Sequence, residues 1–157
     1  MWPAPDFILQ GRIIKDGCAE GSVLYASEPI GFLGGVDAET GIITERGHPL
    51  EGQCVAGKVL VFPTGKGSTV GSYVLYQLSV NGLAPAAIFN VESEPIVAVG
   101  AIIGEIPMLD QVPIEQLETG AYVRVEGAAI SVWKTLGHHY AGRDLSHNLR
   151  YVIWRFF

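Results

Sequence analysis

The chain has 157 residues, of which 48% are hydrophobic and only 17% are charged, against a usual charged fraction of about 25%. This length and composition predict a folded domain with a sizeable core and exclude a disordered chain. The formal net charge of −6 argues against a nucleic-acid-binding protein, which must neutralise phosphates over a broad face. The shortage of charged residues also suggests that part of the surface is buried against another protein.

The charge is unevenly distributed along the chain. Residues 133–157 carry a balance of +3, so residues 1–132 carry −9. We therefore predict a single domain over 1–132, without an internal linker, followed by a basic tail over 133–157. The sequence leaves the role of the tail open, because it could fold back on the acidic body, reach a partner or remain solvated.

Cysteine usage and hydropathy bear on the compartment. Cys18 and Cys54 form no CxxC motif, and no secretory signal is recognised, so we expect a reduced cytosolic environment. The two cysteines are too few for an iron–sulfur cluster, which takes about three or four ligands. We expect them to be buried as small hydrophobic side chains. No apolar run approaches the roughly 20 residues of a membrane helix, so we expect a soluble protein.

The amino-terminal part predicts strands separated by turns. One strand is expected over 7–14, a short one over 22–26 and another over 42–44. A polar loop over 45–53 follows. Turn-forming residues stand between the second and third strands: Gly31, Gly34, Gly35, Asp37 and Gly41.

The middle third predicts strands that alternate with helices. Residues 57–63 and 86–89 are continuous apolar runs, typical of strands that are buried on both faces of a parallel sheet. Between them, a helix is expected to begin at a Ser68 or Thr69 cap and to end before Gly82.

The rest of the chain continues this alternation. A second helix is predicted from a Ser93 cap to Gly104. A short strand over 106–109, a helical turn over 114–117 and an alternating strand over 121–125 follow. The whole order predicts an α/β domain with a central parallel crossover unit and flanking β segments.

The loop over 62–69 is the predicted site of chemistry. It joins the carboxyl end of a buried strand to the amino end of a helix, where α/β folds place ligands. Gly65 and Gly67 allow a tight turn with inward N–H groups, the helix start adds a partial positive charge, and Lys66 adds a full one. These features suit a phosphate or a carboxylate. A glycine-rich turn with an ordinary cap explains the same spacing, so both interpretations stay open here.

Ser68 is the candidate base in this loop. It has no His–Asp pair in chain order and no GxSxG elbow, so its activation must come from the local positive field or from another chain. Two other sites are rejected. The P-loop-like pattern at 52–58 is followed by Val59, where Ser or Thr is needed, and the histidines of the tail lack a carboxylate at ligand spacing.

Five blocks of sequence, in order, give the chain a family resemblance. Together they resemble the small subunit of aconitase X, which in archaea belongs to phosphomevalonate dehydratase. The resemblance spans about residues 8–127. The glycine-rich block is more similar to the archaeal type than to bacterial relatives that dehydrate cis-3-hydroxy-L-proline. The blocks are 32–41, 57–63, 65–73, 84–88 and 94–101.

The resemblance implies a swivelling β/β/α domain of the aconitase type and a large partner subunit that holds an iron–sulfur cluster, 4Fe-4S in type. The implied reaction is dehydration of (R)-5-phosphomevalonate to trans-anhydromevalonate 5-phosphate, without turnover by this chain alone. The family's catalytic serine, a proton acceptor, falls on Ser68, and the partner's Lewis-acid iron takes the hydroxyl. The expected substrate-binding residues are Gly34, Gly35, Gly65, Lys66, Gly67 and Thr69.

Two other functions remain open at this point. The first is the same chemistry on cis-3-hydroxy-L-proline, which has less use for Lys66 because it carries no phosphate. The second is a non-catalytic module that captures a small anion or regulates a partner, for which Ser68→Ala leaves binding and activity intact. The tail over 133–157 lies outside the resemblance, so docking on the partner and a lineage-specific addition are both open.

Overall fold

A computed structural model describes residues 3–66 and 70–134. Gly67, Ser68 and Thr69 lie outside the described residues, as does all of the predicted tail beyond Lys134. The described elements are, in chain order, β1 Phe7–Gln10, β2 Arg12–Lys15, β3 Cys18–Tyr25, β4 Val59–Val61, α1 Gly71–Val80, β5 Ala87–Phe89, α2 Pro95–Ile103, β6 Met108–Asp110, a 3-10 turn Ile114–Gln116, β7 Tyr122–Glu126 and β8 Ala129–Trp133.

The strands form one sheet in the order β1-β8-β7-β3-β4-β5-β6-β2. The four strands β3 to β6 run parallel, and the remaining pairs are antiparallel. The strands β1 and β2 lie at opposite ends of this order although only Gly11 separates them. The sheet must therefore curl until its edges meet. Gly11 permits this closure, because a Cβ there would lie 2.9 Å from Cγ2 of Val112 and 3.1 Å from the carbonyl oxygen of Asp110.

Two hydrophobic cores lie on the two faces of the curled sheet. Inside the curl, Val59, Val61 and Phe89 pack with inward residues of the antiparallel strands. On the outer face, Leu60 and Ile88 pack against α1, α2 and the segment 26–55. The strands β4 and β5 are therefore buried on both faces, as their continuous apolar runs predict.

The predicted crossover unit is confirmed as β4-α1-β5-α2-β6. The two helices pack so closely that a Cβ on Gly100 would lie 2.7 Å from Cδ1 of Leu75. Gly82, with φ of 72°, follows the C-cap of α1 as predicted. The start of α1 differs, because the helix begins at Gly71 after Val70, which provides no side-chain cap. The start of α2 differs as well, because Glu94 caps it by accepting from the N–H of Val97 at 3.0 Å.

Other predicted boundaries also need correction. The strand predicted over 7–14 is two strands, broken at Gly11, and β3 begins four residues before the predicted 22–26 segment. The predicted strand over 42–44 is wrong, since Ile42 and Ile43 form only isolated bridges. The sequence did not predict β8, which ends at Trp133, a buried residue.

The expectation that both cysteines are buried is wrong. Cys18 is exposed and Cys54 is partly exposed, and neither forms a disulfide. In the described ranges, no helix has the length and apolar character to cross a membrane.

Candidate active site

The loop that follows β4 is paired with the loop that follows β3. The N–H of Ile30 donates to the carbonyl of Thr64 at 3.3 Å, and the N–H of Lys66 donates to the carbonyl of Ile30 at 2.9 Å. Ile30 and Gly65 thus form a parallel bridge just beyond the carboxyl ends of two neighbouring strands. This is the edge of a parallel sheet at which α/β proteins bind ligands.

Asn90, directly after β5, holds the same loop from the other side. Its side chain is fully buried, and Nδ2 donates to the carbonyl of Phe62 at 2.9 Å. The N–H of Val91 donates to the carbonyl of Pro63 at 3.0 Å. Within residues 3–66 and 70–134, the Oδ1 atom of Asn90 has no hydrogen-bond partner. The backbone of residues 62–66 is therefore held by hydrogen bonds from the segments that follow β3 and β5.

Gly65 is required where the loop passes the first turn of α2. A Cβ placed on Gly65 would overlap with Cγ2 of Val97 and would lie 3.4 Å from Cβ of Glu94. Val97 is itself buried, so it cannot turn away into solvent. The backbone of the loop therefore packs directly against α2 at Gly65.

Gly34 and Gly35 belong to a tight turn beside this loop. Gly34 has φ of 75°, which L side chains rarely adopt, and a Cβ on Gly35 would overlap with the carbonyl oxygen of Gly31. Thr44 ties the turn down, because its N–H donates to the carbonyl of Gly35 at 2.9 Å and its hydroxyl donates to the carbonyl of Gly34 at 3.3 Å.

Lys66 connects the loop to the glycine turn. Its aliphatic part lies over Gly31, where an added Cβ would be 3.3 Å from Cβ of Lys66. Its Nζ lies 2.9 Å from Oε2 of Glu45. The structure thus brings Gly34, Gly35 and Lys66 together with Gly65, all of them predicted binding residues. That they bind substrate stays a prediction, as do the roles of Ser68, Gly67 and Thr69.

Sequence reasoning missed two residues of this region. Glu45 stood in a stretch interpreted only as a polar loop, and nothing in the spacing pointed to its partner Lys66. Asn90 carried a usable signal, because a polar residue directly after a buried parallel strand lies at the ligand-binding edge of the sheet.

His48 links two of the segments that form the site. It is buried, and its Nδ1 accepts from the N–H of Leu50 at 3.0 Å. Its Nε2 therefore carries the hydrogen and donates to the carbonyl of Pro29 at 3.2 Å. Both ring nitrogens are used in holding the segment that contains Glu45 against the loop that contains Ile30.

A second polar cluster lies at the carboxyl end of β6. Arg12 donates two hydrogen bonds to Asp110, at 2.8 and 2.7 Å. The hydroxyl of Ser93 donates to the same carboxylate at 2.9 Å, so Ser93 is engaged here and not as the predicted cap of α2. These hydrogen bonds, led by that of Arg12, lower the pKa of Asp110 against the opposing effect of burial. The cluster joins β2 to the start of α2.

Two clefts of about 230 and 240 Å³ lie elsewhere, lined by residues such as Glu20 and Arg124 in the first and Glu115 in the second. Neither includes Gly65 or Lys66. In 3–66 and 70–134, no group of three or more His, Cys, Asp and Glu side chains is placed to hold a metal ion.

Comparison with known proteins identifies the family. The family model described as the aconitase X swivel domain matches residues 8–132. The chain belongs to the aconitase X swivel domain family. This membership confirms the predicted swivelling α/β fold, in which the glycine turn, Lys66 and the start of α1 lie at the carboxyl edge of the parallel strands.

Individual relatives agree with this assignment. The chain is 59% identical over 123 residues to a Methanosarcina acetivorans protein named phosphomevalonate dehydratase small subunit, with 76% of this chain and 85% of the relative covered. A protein of the same name from Thermococcus kodakarensis is 57% identical over 118 residues, with 75% and 89% covered. The crystal structure of Thermococcus kodakaraensis aconitase X in its holo form matches with a TM-score of 0.79 and 52% identity, covering 82% of this chain and 99% of that one.

Proposed function

We propose that this chain is the small subunit of a hydro-lyase that dehydrates (R)-5-phosphomevalonate to trans-anhydromevalonate 5-phosphate. The observation that carries the proposal is the high identity, over most of both chains, to relatives named phosphomevalonate dehydratase small subunit. The position of the glycine turn and of Lys66, at the carboxyl edge of the parallel strands, supports it physically.

The contribution of this chain is a base and an anion site. Ser68 stands two residues after Lys66 and three before Gly71, the first residue of α1. The ammonium of Lys66 and the amino end of α1 both favour a negative charge nearby, as an alkoxide requires. In the proposed step Ser68 takes a proton from the carbon beside the one that bears the hydroxyl. The C–H electrons form the double bond, and the hydroxyl leaves as hydroxide. The hydroxide takes up one proton to become water, and Ser68 releases the proton that it accepted, so the step balances overall.

The anionic groups of the substrate need donors that are fixed before binding. We propose that backbone N–H groups of the two glycine-rich segments, together with Lys66, hold a phosphate or carboxylate. The segments meet at the bridge between Ile30 and Gly65, so one anion can contact both. The proposed binding residues are Gly34, Gly35, Gly65, Lys66, Gly67 and Thr69.

We further propose that the iron–sulfur cluster, 4Fe-4S in type, belongs to a large partner subunit. The described residues do not fit a cluster. Cys18 pairs with Glu126 in the antiparallel part of the sheet, whereas Cys54 bridges to Ile42 in the segment that follows β3. The steps assigned to this chain therefore do not involve the cluster. Because both cysteines are free thiols, we propose a reducing, cytoplasmic location.

Exposed apolar side chains support the existence of a large partner subunit. Both helices carry such side chains, which the described part of the chain leaves between 43% and 66% exposed. Burial of such a surface against another chain is a usual explanation for it. The exposed residues on and directly before the helices are Val70, Tyr73, Tyr76, Val80, Val99, Ile102 and Ile103.

The experiment is a comparison of serine variants in the complex with the large subunit, prepared without oxygen. Wild type should release water from (R)-5-phosphomevalonate, and Ser68→Ala should assemble normally but lose at least about a hundred-fold in kcat, the lower range for a general base. Ser131→Ala, which removes a hydroxyl from β8, is the matched control and should retain full activity. Turnover by Ser68→Ala at the wild-type rate would remove Ser68 from the mechanism.

A further inference from the structure

A carboxylate lies inside the site that we assign to anions. Oε2 of Glu45 is 2.9 Å from Nζ of Lys66, and the two side chains are 29% and 52% exposed. The positive charge that should attract a phosphate is therefore already paired within this chain.

The carboxylate is the more firmly held member of the pair. Glu45 directly follows Thr44, which makes two hydrogen bonds to the glycine turn. Its Oε1 lies 3.5 Å from where a Cβ on Gly35 would be, so the carboxylate lies against that turn. The side chain of Lys66 is 52% exposed, and its ammonium stands at the end of a flexible four-carbon stem. When an anion arrives, the ammonium is the group that can move.

We propose that Glu45 is a positioning residue that acts through Lys66, as an internal counter-ion with which an anionic substrate competes. In the free domain it holds the ammonium, and substrate binding transfers the ammonium to the substrate's anionic group. The identity of that substrate rests on the proposed function, whereas the competition applies to any small anion. Removal of the carboxylate should tighten anion binding by the interaction energy of the ion pair. For partly exposed charges this energy corresponds to a factor of about two to five in affinity.

A purely structural role predicts the opposite result. If Glu45 served only to point Lys66 toward the substrate, its removal would loosen the ammonium and weaken binding. The direction of the change in KM therefore separates the two roles, and a general loss of stability cannot imitate a lower KM.

The first test uses the complex with the large subunit and (R)-5-phosphomevalonate. Glu45→Gln should lower KM about two- to five-fold, and the effect should appear in KM and not as a matching loss of kcat. Glu39→Gln is the matched control, since it removes an exposed carboxylate from the same segment, and it should leave KM unchanged. In a Lys66→Met background, Glu45→Gln should no longer lower KM. A higher KM for Glu45→Gln overturns the proposal, as does an equal decrease in the Lys66→Met background.

A second test does not depend on turnover. Inorganic phosphate is titrated into the full chain while the amide signals of Gly31, Gly35 and Gly65 are followed by NMR. Glu45→Gln should bind phosphate about two- to five-fold more tightly than wild type and Glu39→Gln. Equal, weaker or undetectable binding by Glu45→Gln overturns the proposal. A different pair of results is that Glu45→Gln binds phosphate more tightly in this titration while the complex of the first test does not turn over phosphomevalonate. That pair of results would refute the proposed substrate and keep the role of Glu45.

Discussion

Adding one methyl group at Gly65 tests how the catalytic loop is held. Gly65 does not have a left-handed φ, so alanine is compatible with its backbone, but its Cβ would overlap with Cγ2 of Val97. Because Val97 is buried on α2, either the loop or the helix must shift. Overpacking of this kind costs about 1–3 kcal/mol, so Gly65→Ala should lower the free energy of unfolding by that amount and raise KM by displacing Lys66.

A second substitution, Val97→Ala, should relieve this overlap. Val97→Ala removes Cγ2 and leaves the added methyl 3.4 Å from Cβ of Glu94 and 3.5 Å from Cβ of residue 97, which are ordinary contacts. Val97→Ala alone should cost about 1.5–2.5 kcal/mol, from two lost methyl groups and a small cavity. In the Val97→Ala background, Gly65→Ala should be nearly neutral, which gives a favourable interaction energy of about 1–3 kcal/mol.

The assay is equilibrium urea unfolding of the four chains of this cycle. Gly71→Ala is the matched control, because a Cβ there would meet only Cγ2 of Ile96 at 3.7 Å and Cβ of Phe32 at 3.9 Å. Because alanine is compatible with the backbone at this position, the exchange should raise stability by about 0.4–1 kcal/mol through the unfolded state. If Gly65→Ala costs the same in both backgrounds, the contact with Val97 does not position the loop and the reasoning is refuted.

Two further predictions concern buried polar groups. Asp110→Asn should lower the free energy of unfolding by about 1–3 kcal/mol at pH 7. Because the folded-state pKa of Asp110 is lowered, its contribution is complete above the unfolded pKa of about 3.9 and is lost as pH falls through the folded value, so the deficit of the variant should shrink in acid. Asn90→Asp should cost about 3 kcal/mol or more at pH 7, since it places a carboxylate beside the carbonyl of Phe62 without a cation. Because burial raises the pKa of such a carboxyl group, this cost should shrink as pH falls through the raised folded-state pKa, and the part due to ionisation should be lost below the unfolded pKa of about 3.9.

Unfolding measured from pH 3 to pH 7 checks both predictions. If the free energies of unfolding of wild type and Asp110→Asn change in parallel with pH, the ionised form of the carboxylate does not contribute to stability. A pH-independent deficit in Asn90→Asp would mean that the new carboxyl group reaches water. Glu92→Gln, an exposed change beside Asn90, should follow the wild-type curve in each case.

The parts of the fold that sequence predicts well are those whose signals are local. The apolar runs at β4 and β5 and the glycine after α1 lie within single elements, so spacing alone predicts the crossover unit. The failures depend on partners distant in sequence. Glycine is needed at the break, residue 11, because Val112 packs there, and the hydroxyl of Ser93 is bonded to Asp110 and does not cap the helix as predicted.

In the candidate site, too, local features are predictable from the sequence and long-range contacts are not. The loop around Lys66 is recognisable because strand end, glycines and helix start are consecutive in the chain. The ion pair of Lys66 is not recognisable from the sequence, because its partner Glu45 lies 21 residues earlier and is brought near by the tertiary fold. The role of Ser68 is implied by the family resemblance and not by spacing.

The most direct test of the account is dehydration of (R)-5-phosphomevalonate by this chain, assembled without oxygen with its large partner subunit and with a loaded iron–sulfur cluster. The complex should form trans-anhydromevalonate 5-phosphate, and this chain alone should form none. Turnover of cis-3-hydroxy-L-proline instead would keep the chemistry and refute the substrate. An intact, cluster-loaded complex that dehydrates neither compound would contradict the central claim.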